Sequence, residues 1–306
     1  MAHPLPRTNS IADFVNPVDL AKTENLELLS RQIVDGFLSG RHRSKRNGGS
    51  AEFAEHRAYC PGDEIRLLDW RVFGKSDRYC IKQFEEETSL QAILVLDASG
   101  SMGFGLGTMS KYEYSQRAAL CLARLVLQQR DAAGLAVIGG GVRCFVPPRS
   151  QPRHLEVMIE NLRPASPSGS TTLAADLAEL IPRIKRRGLI ILFSDCFDSV
   201  DQLTHSLRLL RSRRHEVLLF HVLAPEELAF SFGQWTRFES LEDAGQMLDL
   251  DPIEIRSEYL ARLKAFLGQV RHACGENSCD YVPLSTDQPL GEALANYLRR
   301  RAAAQR

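Results

Sequence analysis

Ala92-Ile93-Leu94-Val95-Leu96-Asp97-Ala98-Ser99-Gly100-Ser101 is the stretch of this 306-residue chain from which the fold can be read. Five apolar residues in succession, with no polar alternation, make a strand that must be covered on both faces, as in a parallel sheet flanked by helices. Leu189-Ile190-Ile191-Leu192-Phe193 repeats the pattern and ends on Ser194-Asp195; Val217 to Val222 gives a third strand of the kind. Helical spacing lies between them, at 112–130 with Ala119, Leu122, Leu125 and Val126 on one face, at 154–162, at 172–186 with a kink at Pro182, and at 199–213. Gly134 to Ile138 is a further strand. Val142 to Val146 is its hairpin partner at a sheet edge, because Gly139-Gly140-Gly141 leaves no room for a crossover helix. This alternation predicts an α/β, doubly wound, mostly parallel sheet.

Downstream, the pattern predicts a hairpin over 235–250, a helix over 252–273, a strand at 280–284 and a closing helix over 290–300. Upstream, residues 1–17 read as a loose tail. Leu26, Leu29, Ile33 and Phe37 mark an amphipathic helix over 19–38 that Gly40 stops. The basic run 41–46 reads either as a solvated loop or as a contact for an acidic or phosphate-bearing partner. Trp70 to Phe73 and Tyr79 to Phe84, with Gly74-Lys75-Ser76-Asp77 between them, predict an N-terminal β-hairpin extension. The boundaries that follow are a tail at 1–17, an N-terminal segment at 18–89 packed on the main domain, and a main domain at 90–301.

Composition narrows the function. Thirty-eight basic side chains balance thirty-eight acidic ones, so there is no global charge to draw nucleic acid. No apolar run reaches the length of a bilayer span, and the first ten residues lack the apolar core of a secretory signal. The seven cysteines include no C-x-x-C pair and several stand in apolar runs, which suits reduced, buried thiols and a cytoplasmic location.

Ligands in an open α/β sheet bind beyond the carboxyl ends of its strands. Two strands here end in acids at that edge, Asp97 and Asp195. In Asp97-Ala98-Ser99-Gly100-Ser101, three oxygen-bearing side chains stand at alternate positions, and Ser168-Gly169-Ser170-Thr171-Thr172 is placed to bring a hydroxyl to the same crevice. Hydroxyls and carboxylates are hard donors, suited to Mg²⁺ first and to Mn²⁺ or Ca²⁺ as alternatives. The G-x-S-x-G elbow, the phosphate-binding G-x-x-x-x-G-K motif and a strand-end histidine base are all missing, and His221 sits within an apolar strand.

The Asp97-x-Ser99-x-Ser101 loop, the Thr171 loop and the strand ending at Asp195 resemble the metal-ion-dependent adhesion site of von Willebrand factor A domains, over about residues 90–225. The resemblance implies a Rossmann-type fold with Ser99, Ser101 and Thr171 on the ion and Asp97 and Asp195 acting mainly through water. Gly169-Ser170-Thr171 stands where that family has Gly-Gly-Thr. A second string resembles the bacterial "domain of unknown function 58" family: Arg57, Tyr59, Pro61, Gly62, Asp63, Arg66, Asp69 and Trp70. Its alternating charges suit either ion pairs that pin the segment or contacts to a partner. That resemblance implies a bacterial protein acting beside a MoxR-type AAA+ ATPase in chaperone-like maturation of clients. The expected function is thus a non-enzymatic, metal-dependent adaptor that captures an acidic residue of a protein partner. The alternatives are a metal-dependent phosphoester hydrolase and a scaffold that has lost its metal.

Overall fold

The computed structural model describes residues 52–58, 70–76, 79–85, 90–107, 109–232, 236–242 and 247–289. They fall into two compact units that divide between Ser89 and Leu90. The expected helix over 19–38, the basic run, the closing helix over 290–300, and Tyr59, Pro61, Gly62, Asp63, Arg66 and Asp69 lie outside the described residues.

In the smaller unit, β1 (Glu52–Ala58) pairs antiparallel with β2 (Cys80–Glu85), from Glu52 opposite Glu85 to Ala58 opposite Cys80, with Arg57 opposite Ile81. Between them stands α1 (Trp70–Ser76). This corrects the expected hairpin: Cys80–Glu85 is a strand, but its partner is β1 and the Trp70–Phe73 run is helical. The reason lies in the aromatic spacing. Trp70 and Phe73 are three apart, which puts both on one helix face, where their rings meet edge to face at 6.2 Å and Phe73 stacks on Tyr79 at 4.5 Å. Trp70 itself is exposed.

The larger unit is built on β3 (Gln91–Asp97), β4 (Ala132–Ile138), β5 (Val142–Arg149), β6 (Leu189–Ser194), β7 (Glu216–Leu223) and β10 (Asp280–Ser285), in the order β10-β7-β6-β3-β4-β5. All pairs are parallel except the β4–β5 hairpin at the edge. This is the α/β, mostly parallel architecture expected. On one face, Ile93, Val95, Ile190, Leu192 and Leu219 pack under α4 (Leu173–Leu180), α5 (Val200–Ser212) and α7 (Pro252–Glu276). On the other, α2 (Lys111–Gln128) lies on β3 and β4 beside α3 (His154–Leu162). Both faces being covered is why these strands are apolar at every position. At Pro182 the helix does not bend: α4 ends at Leu180 and gives way to a 3₁₀ turn, Ile181–Arg183, since proline offers no N–H and its ring would clash with the preceding turn.

Two further elements follow β7. The short α6 (Pro225–Ala229) was not foreseen. The expected hairpin is present as β8 (Thr236–Glu239) and β9 (Met247–Leu250), paired antiparallel. Among the described residues, no helix is long and apolar enough to cross a membrane.

Candidate metal centre

Asp97 closes β3 and is buried. Its Oδ1 accepts the Ser99 amide at 2.9 Å, which turns the chain sharply after the strand, and its Oδ2 accepts the Ser194 hydroxyl at 2.6 Å. Ser194 in turn accepts the Cys196 amide at 2.9 Å, so the end of the neighbouring β6 is tied to Asp97. The loop is stitched on both sides. Ala98 N–H donates to Ile138 on β4 at 2.7 Å, and Gly100 N–H donates to the Gly169 carbonyl at 2.8 Å. Gly169 has φ of 76°, a left-handed conformation that suits glycine. Arg143 holds the same segment from outside, donating to the Ser166 carbonyl at 2.8 Å and the Ser168 carbonyl at 2.6 Å.

These ties bring three hydroxyls into a row. Ser99 Oγ lies 3.2 Å from Ser101 Oγ, which lies 3.5 Å from Thr171 Oγ1. The Thr172 hydroxyl is turned elsewhere, donating to Asp176 at 3.0 Å. Neighbouring oxygens on an octahedral Mg²⁺, with bonds of ~2.0–2.1 Å, stand roughly 3 Å apart. The row therefore has the spacing of adjacent ligands on such an ion, slightly opened. Among the described residues no three His, Cys, Asp or Glu side chains gather as a metal cluster, so an ion here would rest on hydroxyl donors with carboxylates behind them. Burial and the neighbouring Asp195 push the Asp97 carboxyl up to about 6, against the hydrogen bonds from Ser194 and Ser99. The donor set thus concentrates negative charge where positive charge is welcome.

Asp195 stands differently. It is fully buried, and its Oδ2 accepts the Lys111 ammonium at 2.7 Å. Lys111 is itself fully buried and also donates to Glu227 Oε1 at 2.7 Å. Its place is set by a capping box: Ser110 accepts the Glu113 amide, Glu113 accepts the Ser110 amide, and Lys111 becomes the first residue of α2. The ammonium lies 4.9 Å from the centre of the Phe197 ring. Burial works against its charge, but the Asp195 and Glu227 carboxylates outweigh burial and raise its pKa. Burial also pushes the Glu227 carboxyl up despite that ammonium.

His221 is not positioned as a base. Its Nε2 lies 2.8 Å from the Asp195 carbonyl, which can only accept, so Nε2 carries the proton and Nδ1 accepts the Tyr281 hydroxyl at 3.0 Å. Burial holds the ring at about 4, neutral at ordinary pH.

Comparison with known proteins now bears on this arrangement. A family model described as "Protein of unknown function DUF58" matches residues 55–265. The chain belongs to the DUF58 family. The match includes the whole Arg57–Trp70 string, the Asp97–Ser101 loop and both strands of the β8–β9 hairpin. The uncharacterized protein Rv1480 of Mycobacterium tuberculosis is 30% identical over 300 residues, covering 95% of this chain and 93% of its own length. Among solved structures, the chain is similar to the conserved hypothetical protein BatB of Bacteroides thetaiotaomicron, with 16% identity, a TM-score of 0.45, and 70% of this chain and 99% of that one covered. It is also similar to the SpRpn10 VWA domain, with 10% identity, a TM-score of 0.41, and 68% and 95% covered.

The sequence reading named Asp97, Ser99, Ser101, Thr171 and Asp195. The structure joins the first four through one hydrogen-bonded edge, and places Asp195 beside them with one oxygen committed to Lys111. Three polar neighbours were missed. Ser194 had a signal, being the residue between a buried strand and its terminal acid. Lys111 and Glu227 had none in sequence, since 116 positions separate them.

Proposed function

We propose that this DUF58 chain is a metal-dependent protein-binding adaptor. Ser99, Ser101 and Thr171 would hold a divalent cation, Mg²⁺ foremost, with Asp97 and Asp195 behind them acting through water or as charge. The observation that supports this reading most is the row of three hydroxyls from two separate loops, at ligand spacing, backed by the buried Asp97 carboxylate. Neutral hydroxyls leave the charge of a bound ion largely uncompensated, so the ion would supply an electrophilic position that a partner's carboxylate can complete. With His221 neutral and both its nitrogens engaged, binding fits the site better than hydrolysis. We further propose that the partner is a MoxR-type AAA+ ATPase or its client, in chaperone-like maturation.

Calorimetry with Mg²⁺ tests the ion. Wild type is expected to bind it, and Asp97→Ala and the less buried Thr171→Ala to lose affinity by about 10–100-fold. Capture of a MoxR-type ATPase from the native organism should disappear with chelator and with either variant. Equal heats and undiminished capture in both variants would sink the proposal.

A further inference from the structure

The row of hydroxyls does not end at Thr171. Glu242, three residues beyond β8, accepts the Thr171 amide at 3.1 Å through Oε2, and its Oε1 accepts the Thr171 hydroxyl. Four oxygen-bearing side chains, Ser99, Ser101, Thr171 and Glu242, therefore follow one another, the last a carboxylate from a separate part of the chain. Its approach is built into the metal loop. The Leu241 carbonyl oxygen lies 2.0 Å from where a Cβ on Gly100 would stand, so only a glycine at position 100 admits the backbone that carries Glu242.

Charge makes the contact informative. Asp97 and Asp195 already face this edge, and the buried Lys111 ammonium is shared between Asp195 and Glu227. A further carboxylate at Thr171 extends a row of oxygen donors that Asp97 and Asp195 already back, a grouping that a hard cation would favour. The hairpin that delivers it is slight: two four-residue strands paired with each other, with Leu241 and Met247 exposed. Phe238, one pair from the turn, packs on Phe230 and Phe232. A two-stranded hairpin is marginal by itself and depends on packing of this kind.

We infer that Glu242 is a tethered carboxylate that takes the cation's open position in the resting protein, so that a partner's acidic side chain binds by displacing it. The inference rests on the metal-binding reading above and adds to it the occupant of that position. It makes the site self-limiting: affinity for an external acid is reduced by the fraction of molecules in which Glu242 is seated.

Mn²⁺ with water-proton relaxation tests this on the full chain, in wild type, Glu242→Ala, Glu242→Gln and Asp97→Ala, with acetate as the probe acid. Glu242 lies on a turn, so its variants should melt with the wild type. Both are expected to bind Mn²⁺ about tenfold more weakly, from loss of one charged ligand, and to show about one more exchangeable water on the bound ion. Acetate should displace that water at about tenfold lower concentration than in wild type. If Mn²⁺ binds in a manner that depends on Asp97 while the Glu242 variants match wild type in hydration and acetate response, the tethered ligand is overturned and the metal site stands. If wild type binds no Mn²⁺, both readings fall together.

Discussion

Lys111→Met is expected to lower the stability of the metal-free protein by about 3–5 kcal/mol, read as a fall in the urea midpoint at unchanged slope. Methionine keeps much of the aliphatic stem beside Phe197 and Phe104 but removes the ammonium. Asp195, with no exposed side-chain surface, and Glu227, with 12% exposed, then lose their shared cation. The Phe197 amide donates to Asp195 Oδ1 at 3.3 Å, but a neutral donor does not replace the ammonium's charge. The cost comes from stranding charge, not from losing an attraction, so removing the charges together should recover most of it. The triple variant Lys111→Met, Asp195→Asn, Glu227→Gln is expected to melt closer to wild type than Lys111→Met alone. A single-variant loss below about 1 kcal/mol would mean that water or protons reach these carboxylates, and that the ammonium is not what neutralises them.

Lys111 also marks where sequence ceased to inform. The sheet was legible because burial on two faces leaves one mark, an unbroken apolar run, and Ile93, Leu192 and Leu219 carry it in their own strands. The edge hairpin was legible because three consecutive glycines permit a turn and forbid a crossover. Asp97, Ser99 and Ser101 were legible for a related reason: a strand end and a five-residue loop fix their relation locally. The helix at Trp70–Ser76 was misread because seven residues hold too few turns for periodicity to separate helix from strand, and its aromatic contacts depend on Tyr79 outside it. Lys111, Glu227 and Glu242 follow a different logic. Each is a long polar side chain at a helix start or a turn, where solvent is the ordinary environment, and only the fold brings them to the carboxyl edge. Local geometry writes the part of the site that would hold an ion, and tertiary structure alone writes the part that neutralises or occupies it.

Phe220→Ala separates the platform from the site above it, and is expected to cost about 3–5 kcal/mol of stability while changing Mn²⁺ affinity less than about threefold. Phe220 and Phe193 stand opposite each other in the β6–β7 register, fully buried, their rings stacked 4.9 Å apart and 17° from parallel. The next pair in the register is Ser194 and His221, which hold Asp97 and the Asp195 carbonyl. Deleting a ring one step below the site opens a cavity that close-packed neighbours fill only in part. The edge is fixed independently of that ring: Ser194 bonds to Asp97 across the strands, His221 is held on both nitrogens, and Ala98 is tied to β4. Hydrogen bonds with little tolerance in length should keep the donors in place while the layer beneath loosens. Chemical denaturation and Mn²⁺ titration of the same preparation decide it. A parallel loss of stability and of affinity would show that packing at Phe220, and not the bonding at the strand ends, sets the spacing of the hydroxyl row.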